Sequence, residues 1–172
     1  MSKTTIKSKQ TNNIRVLIFG NSGSGKSTLA KKLSTKYKLA HLDLDTLAWL
    51  PSKPPQRRSI ETTIAAINAF IKGHDTWVIE GCYADLLAHV AHYANEAIFM
   101  NLSVKQCQEN AKNRPWESHK YASKADQDAN LPMLLDWIAA YETREDEFSY
   151  QAHEALYNAF SNDKKQITKN QP

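Results

Sequence analysis

The sequence predicts an α/β fold, a three-layer α/β/α sandwich built on a mostly parallel sheet of four or five strands. Three observations carry this expectation. Short apolar runs rich in β-branched residues alternate with stretches of helical periodicity from end to end. Helix-starting serines and Gly or Pro punctuation separate the two kinds of segment. The first apolar run leads straight into FGNSGSGKST, residues 19–28, a glycine-rich turn placed between a strand and a helix. Strands buried on both faces read as continuous apolar runs, and helices must then cover each face.

The elements follow in order. IRVLIF (14–19) is a buried strand. A helix runs from Lys26 to Tyr37, with Leu29 and Leu33 four apart on one face. LAHLDLD (39–45) is a second strand with Ala40, Leu42 and Leu44 alternating, and PSKPPQRR (51–58) is a Pro-rich basic loop. Ser59 caps a helix whose stripe is Ile60, Ile64, Ile67 and Ile71, and Gly73 stops it. TWVIEG (76–81) is a third strand, ADLLAHVAHY a short helix and EAIFMNL (96–102) a fourth strand. Ser103 and Gln106 form a capping box for a helix that Pro115 ends. Residues 114–130 are polar, charged and aperiodic. Asn130 caps a long helix to about Phe148, Ser149 caps a last one to about Phe160, and QIT (166–168) is the one candidate for a fifth strand.

Bulk composition bounds the function. The chain's 172 residues fit one domain, and a 41% apolar fraction supports a core without disulfides. The expected organisation is a disordered leader over 1–13, one domain over 14–163 and a basic tail over 164–172. Two cysteines, Cys82 and Cys107, read as reduced thiols in a cytoplasmic protein. No apolar run approaches the ~18 residues of a membrane span, and the N-terminus lacks the apolar core of a secretory signal. The net charge of +4 suits an anionic partner. With no basic stripe interleaved with aromatics, nucleic acid is not the expected one.

Gly20, Gly25, Lys26 and Ser27 satisfy G-x-x-x-x-G-K-[ST]. Glycines let successive backbone N–H groups converge on one anion, and a helix N-terminus adds partial positive charge. Lys26 would reach the β- and γ-phosphates, and the Ser27 hydroxyl would ligate Mg²⁺. A Ser/Gly linker would not join a buried strand directly to an amphipathic helix. Gly20, Asn21, Ser22, Gly23, Ser24, Gly25, Lys26, Ser27 and Thr28 are therefore the expected cradle for ATP with Mg²⁺. The fold expectation sharpens to a P-loop NTPase.

Length leaves little room for a motor ATPase. The guanine-reading N-K-x-D of a GTPase has only SKAD (123–126) as a near miss, without an apolar strand before it. A small-molecule kinase fits better, with residues 46–73 as the acceptor region and residues 114–130 as a lid that excludes water. The order of P-loop, D-x-D, helical insert, WVIEGCY and lid resembles the nucleoside-monophosphate-kinase and shikimate-kinase group. It is most similar to the adenylate-kinase-like family called DNA topology modulation protein. That family carries a stretch like H-L-D-x-L-F-W-x-P, matched by DLDTLAWLP (43–51) through Asp45, Leu47, Trp49 and Pro51. It also carries W-x-I-[DE]-G-N-Y, matched by WVIEGCY (77–83). The likeness spans about residues 14–114. It implies an NMP-kinase-like sandwich, kinase activity, and an Asp45 that holds Mg²⁺ through water or orients an acceptor hydroxyl.

The expected catalytic residues are Lys26, Asp45 and Arg114, the last as a lid arginine that balances charge on the transferred group. Ser27, Asp45 and Glu80 are the metal candidates. A carboxylate closing an apolar strand, as Glu80 does, needs a cation or a donor. Asp43, Asp45, Arg57, Arg58, Gly81 and Tyr83 are the acceptor candidates. Asp43 and Asp45 share one side if the strand stays extended. The acidic pair suits a polyol, and the arginine pair suits an anion. His119, Lys120, Lys124 and Arg144 are possible assistants. Trp116 is the one tryptophan expected to stack on a ligand, with Trp49, Trp77 and Trp137 in the core. The alternative function is a nucleotide-gated binding protein that uses ATP as a switch.

Overall fold

A computed structural model describes residues 13–172. Seven strands and six α-helices follow one another in these residues. They are β1 (Arg15–Gly20), α1 (Lys26–Tyr37), β2 (Ala40–Asp43), β3 (Trp49–Leu50), β4 (Gln56–Arg57) and α2 (Ile60–Gly73). β5 (Trp77–Gly81), α3 (Ala84–Val90), β6 (Glu96–Met100), α4 (Val104–Lys112), α5 (Lys124–Ala139), α6 (Tyr150–Ala159) and β7 (Asp163–Ile167) complete the chain. The main sheet has the order β2-β5-β1-β6-β7 and every pairing in it is parallel. The protein is thus α/β, with helices on both sides of a five-stranded parallel sheet.

Period-two alternation sorts the strands between two cores. On one face Leu17, Phe19, Trp77, Ile79 and Phe99 pack with Ile67 of α2, Leu86 and Val90 of α3 and Leu156 of α6. On the other face Val16, Ile18, Val78 and Ile98 pack with Leu29 and Leu33 of α1, Ala111 of α4 and Ile138 of α5. β1, β5 and β6 are buried almost throughout, which explains why they read as continuous apolar runs.

Four expectations need correction. Ser123, not Asn130, caps α5: its Oγ accepts from the Asp126 N–H. The first turns of α5 are largely exposed, so they carry no apolar period to read. The helix then ends at Ala139, and a 3₁₀ turn over Ala140–Glu142 leads into a loop rather than a helix to Phe148. The Pro-rich 51–58 loop is bounded by two arms of an antiparallel hairpin, with Trp49 opposite Arg57. The fifth strand spans Asp163–Ile167 and pairs with β6 from Glu96–Asp163 to Met100–Ile167, so part of the expected tail belongs to the sheet. Only Ile167 of this edge strand is buried, and its lysines suit an exposed edge.

The leader expected over 1–13 lies outside the described residues except for Asn13. Among the described residues no helix is long and apolar enough to cross a membrane. Ser103 caps α4 as expected by accepting from the Gln106 N–H, but the Gln106 amide bonds Asn110 instead of closing a box.

Candidate functional site

Sheet order turns about β1: the chain visits β2 and β5 on one side, then β6 and β7 on the other. Crevices at the carboxyl ends of parallel strands form at such points. A cavity of about 680 Å³ opens there, lined by the loop after β1, the ends of β2 and β5, and the 113–120 segment.

The loop is held from below. Asn21 is buried and its amide donates to the Ile138 carbonyl at 3.2 Å. Asn110 of α4 donates to the Gly23 carbonyl at 2.8 Å. Gly23 has φ 76°, and Gly25, the N-cap of α1, has φ 88° with no side-chain cap. Both lie in the left-handed region that glycine tolerates. The first-turn N–H groups of α1 therefore end at the cavity without a capping side chain. Lys26 Nζ donates to the Asn21 carbonyl at 2.7 Å, and the Ser27 hydroxyl donates to Glu80 Oε1 at 2.7 Å. Of the nine expected cradle residues, Ser22 to Thr28 line the cavity, while Gly20 and Asn21 support it from outside the lining.

The two aspartates do not share an extended strand. β2 ends at Asp43, whose carboxylate caps the following 3₁₀ turn by accepting from the Asp45 N–H at 2.9 Å. Both still reach the cavity wall. Asp45 accepts the Tyr83 O–H at 2.5 Å on Oδ1 and lies 3.2 Å from Lys120 Nζ on Oδ2. Desolvation against the cavity wall pulls the Asp45 carboxyl upward, though the side chain is still 42% exposed, but Lys120, the Tyr83 hydrogen bond and Lys26 outweigh it and hold the group below the usual carboxylate range.

Glu80 is different. Its side chain is 2% exposed, and Oε2 has no hydrogen-bond partner among the described residues. Burial, with Asp43 nearby, pushes its carboxyl up to about 7 against the opposing pull of Ser27 and Lys26. Of the expected metal set, Ser27 and Glu80 are joined directly, whereas Asp45 is engaged by Tyr83 and Lys120. Among the described residues no group of three or more His, Cys, Asp and Glu could hold a metal ion. A divalent cation at this wall would take Ser27 and Glu80 from the chain and its other oxygens from a ligand.

A raised carboxyl pKa means that the folded state holds its proton longer than the unfolded state. Stability should therefore fall as pH rises from about 4.5 through about 7. In nucleotide-free thermal melts, wild type should lose several degrees relative to Glu80→Gln across that window. Parallel curves would contradict it.

Several expected acceptor residues are engaged elsewhere. Arg57 pairs with Glu147 at 2.7 Å and Asp85 at 3.3 Å, and its guanidinium lies 4.9 Å from the Tyr83 ring centroid. Arg58 donates to the Leu47 and Trp49 carbonyls. Neither lines the cavity. Arg57→Ala should cost about 1–3 kcal/mol of stability, because two half-buried carboxylates lose their partner. Nucleotide affinity should be unchanged, and a denaturant melt with a binding titration checks both.

Gly81 lines the cavity, but its close neighbours are Leu44 and Tyr83 of its own chain. Tyr83 is buried behind Asp45 rather than in the lining. Arg114, Trp116, His119 and Lys120 do line the cavity. Arg114 is held by Glu117 at 3.3 Å, and the Trp116 N–H donates to the Tyr121 carbonyl. Lys124 pairs with Asp128 on the outside of α5, and Arg144 lies against the Trp137 ring, so neither joins the site.

Sequence reasoning missed Asn110, Asn170 and Gln171 in the lining. Asn110 and Asn170 exchange amide hydrogen bonds across 60 residues of chain, a pairing with no local signal. Cys82 also lines the cavity, but burial pushes its thiol up to about 12, so it is no nucleophile near neutrality.

Fold and cavity together define an α/β protein whose candidate site lies at the carboxyl edge of a five-stranded parallel sheet. No family model matches the chain, and no curated protein matches it.

Proposed function

We propose that the protein is an ATP-dependent phosphotransferase that moves the γ-phosphate of Mg-ATP to a hydroxyl of a small-molecule acceptor. One observation carries the reading. The G-x-x-x-x-G-K-S loop runs from the central strand into α1 and forms the wall of a cavity that Lys26, Ser27, Glu80, Asp45 and Arg114 also line. This supports a P-loop NTPase fold of the small-kinase kind.

In this reading the backbone N–H groups of residues 22–27 and the α1 N-terminus bind the phosphates. Lys26 leaves the Asn21 carbonyl for the β- and γ-phosphates, and Ser27 with Glu80 holds Mg²⁺. Bound Mg²⁺ supplies charge neutralisation at the phosphate oxygens. Asp45 is ionised at neutral pH and orients the acceptor hydroxyl. Arg114 balances charge on the transferred group, and the 113–123 loop excludes water. The engagement of Arg57 and Arg58 in ion pairs and carbonyl contacts favours a neutral or polyol acceptor over a phosphate.

ADP release from Mg-ATP across polyols, sugar acids, shikimate, nucleosides and nucleoside monophosphates tests the proposal, with Lys26→Ala as control. Acceptor-dependent turnover that vanishes in the variant is the expected result. Tight ATP binding that no acceptor converts to turnover would favour a nucleotide-gated switch instead.

A further inference from the structure

We infer that Tyr83 and Trp49 are positioning residues for Asp45: they fix one carboxylate oxygen so that the other faces the cavity. The inference rests on the reading of Asp45 as the group that orients the acceptor. The indole N–H of Trp49 donates to the Tyr83 oxygen at 2.7 Å, and the Tyr83 O–H donates to Asp45 Oδ1 at 2.5 Å. An indole N–H can only donate, so the phenol must accept there and its single proton must point to Asp45. The direction of the relay is therefore set by chemistry as well as by distance.

Packing keeps the phenol in place. Tyr83 is 1% exposed, so no solvent competes for its hydroxyl. Trp49 meets its ring edge-on at 6.4 Å, Phe148 meets it at 5.3 Å, and the Arg57 guanidinium lies over it. Arg57 is itself fixed by Glu147 and Asp85. A Cβ on Gly81 would come within 3.0 Å of the Tyr83 ring, so Gly81 lets the ring sit against the strand. Burial and the nearby Asp45 charge push the Tyr83 phenol far above its usual value, so it remains a donor at any working pH. The two stretches DLDTLAWLP and WVIEGCY thus meet in one three-residue relay. Oδ2 of Asp45 is left to Lys120 of the 113–123 loop, and an acceptor hydroxyl would displace that ammonium.

Tyr83→Phe and Trp49→Phe test the inference, because each keeps a ring and removes one hydrogen bond. The readout is the titration midpoint of the Asp45 carboxyl, followed by carbon NMR on nucleotide-free, full-length protein. Charged or titratable groups facing Asp45 are Lys120 from the loop, Lys26 from α1, Asp43 from β2, Glu80 from β5 and Cys82 beyond it. All are retained in both variants. Loss of the O–H donor should raise the midpoint by about one pH unit in Tyr83→Phe, with a smaller rise in Trp49→Phe. With the acceptor found by the ADP assay, kcat should fall roughly tenfold in Tyr83→Phe while ATP affinity is unchanged.

An unmoved midpoint in both variants would overturn the inference. So would a raised midpoint with full kcat, which would make the relay a packing feature. If Tyr83→Phe fails to fold, Trp49→Phe decides by the same two readouts. Failure of wild type to bind ATP would count against the phosphotransferase reading alone, since the carboxyl titration needs no nucleotide.

Discussion

Lys26→Ala is expected to lower acceptor-dependent ADP release by at least about 100-fold while the chain keeps its fold. The ammonium stands at the cavity wall beside the uncapped N-terminus of α1. Its hydrogen bond is to the Asn21 carbonyl at 2.7 Å. Losing one such bond costs stability only about 1 kcal/mol. On the proposed reading Lys26 is a cationic donor aimed at charge that grows during phosphoryl transfer, and such a donor contributes far more to the rate than to the fold. Asymmetry between a large rate loss and a small melting shift is therefore the diagnostic. Lys26→Arg should not restore activity, because a planar guanidinium cannot replace a compact ammonium at a closely packed phosphate. Turnover within threefold of wild type in Lys26→Ala would remove the loop from the chemistry.

Gly23→Ala is expected to be among the most damaging small changes to the fold. The added Cβ would lie 2.3 Å from the Cys107 carbonyl oxygen and 3.1 Å from its carbonyl carbon. Both are backbone atoms of α4, so no side chain can swing away. The position also has φ 76°, where alanine is strained by about 1–2 kcal/mol. Overlap and strain together should cost about 2–4 kcal/mol, or roughly 5–15 °C in melting temperature for a chain of this size. Nucleotide affinity should fall with it, since the Asn110 bond to the Gly23 carbonyl would break as the loop shifts. Gly73→Ala is the matched control. Among the described residues nothing lies within 4 Å of a Cβ there and the residue ends α2, so stability should hold or rise by up to about 1 kcal/mol. A Gly23→Ala chain that melts with wild type would show that loop and helix α4 separate more easily than their packing implies.

Local physics made much of this legible in the sequence. The runs that became β1, β5 and β6 were visible because burial on both faces demands continuous apolar residues. Ser59, Ser103 and Ser149 marked helix starts because a cap acts within three residues of itself. α1 begins at Lys26 and ends at Tyr37 because Gly25 and the 3.6-residue stripe set its limits locally. The loop residues of the candidate site were legible for the same reason, as a contiguous motif between two such elements.

Elements held by distant partners were not legible. β7 is polar and exposed, and only its ladder with β6 makes it a strand. The early turns of α5 bury too little to show a period. Charge complementarity with Asp85 and Glu147, both remote in sequence, drew Arg57 away from the cavity. Asp45, Trp49 and Tyr83 each stood out singly, but their joining required β2 and β5 to lie side by side. Local sequence was enough for the layered α/β class, most helix limits and the glycine-rich loop, because each depends on neighbours within a few residues. Tertiary structure alone decided the strand order, the partners of Arg57 and the relay behind Asp45, because those depend on which distant segments packing brings together.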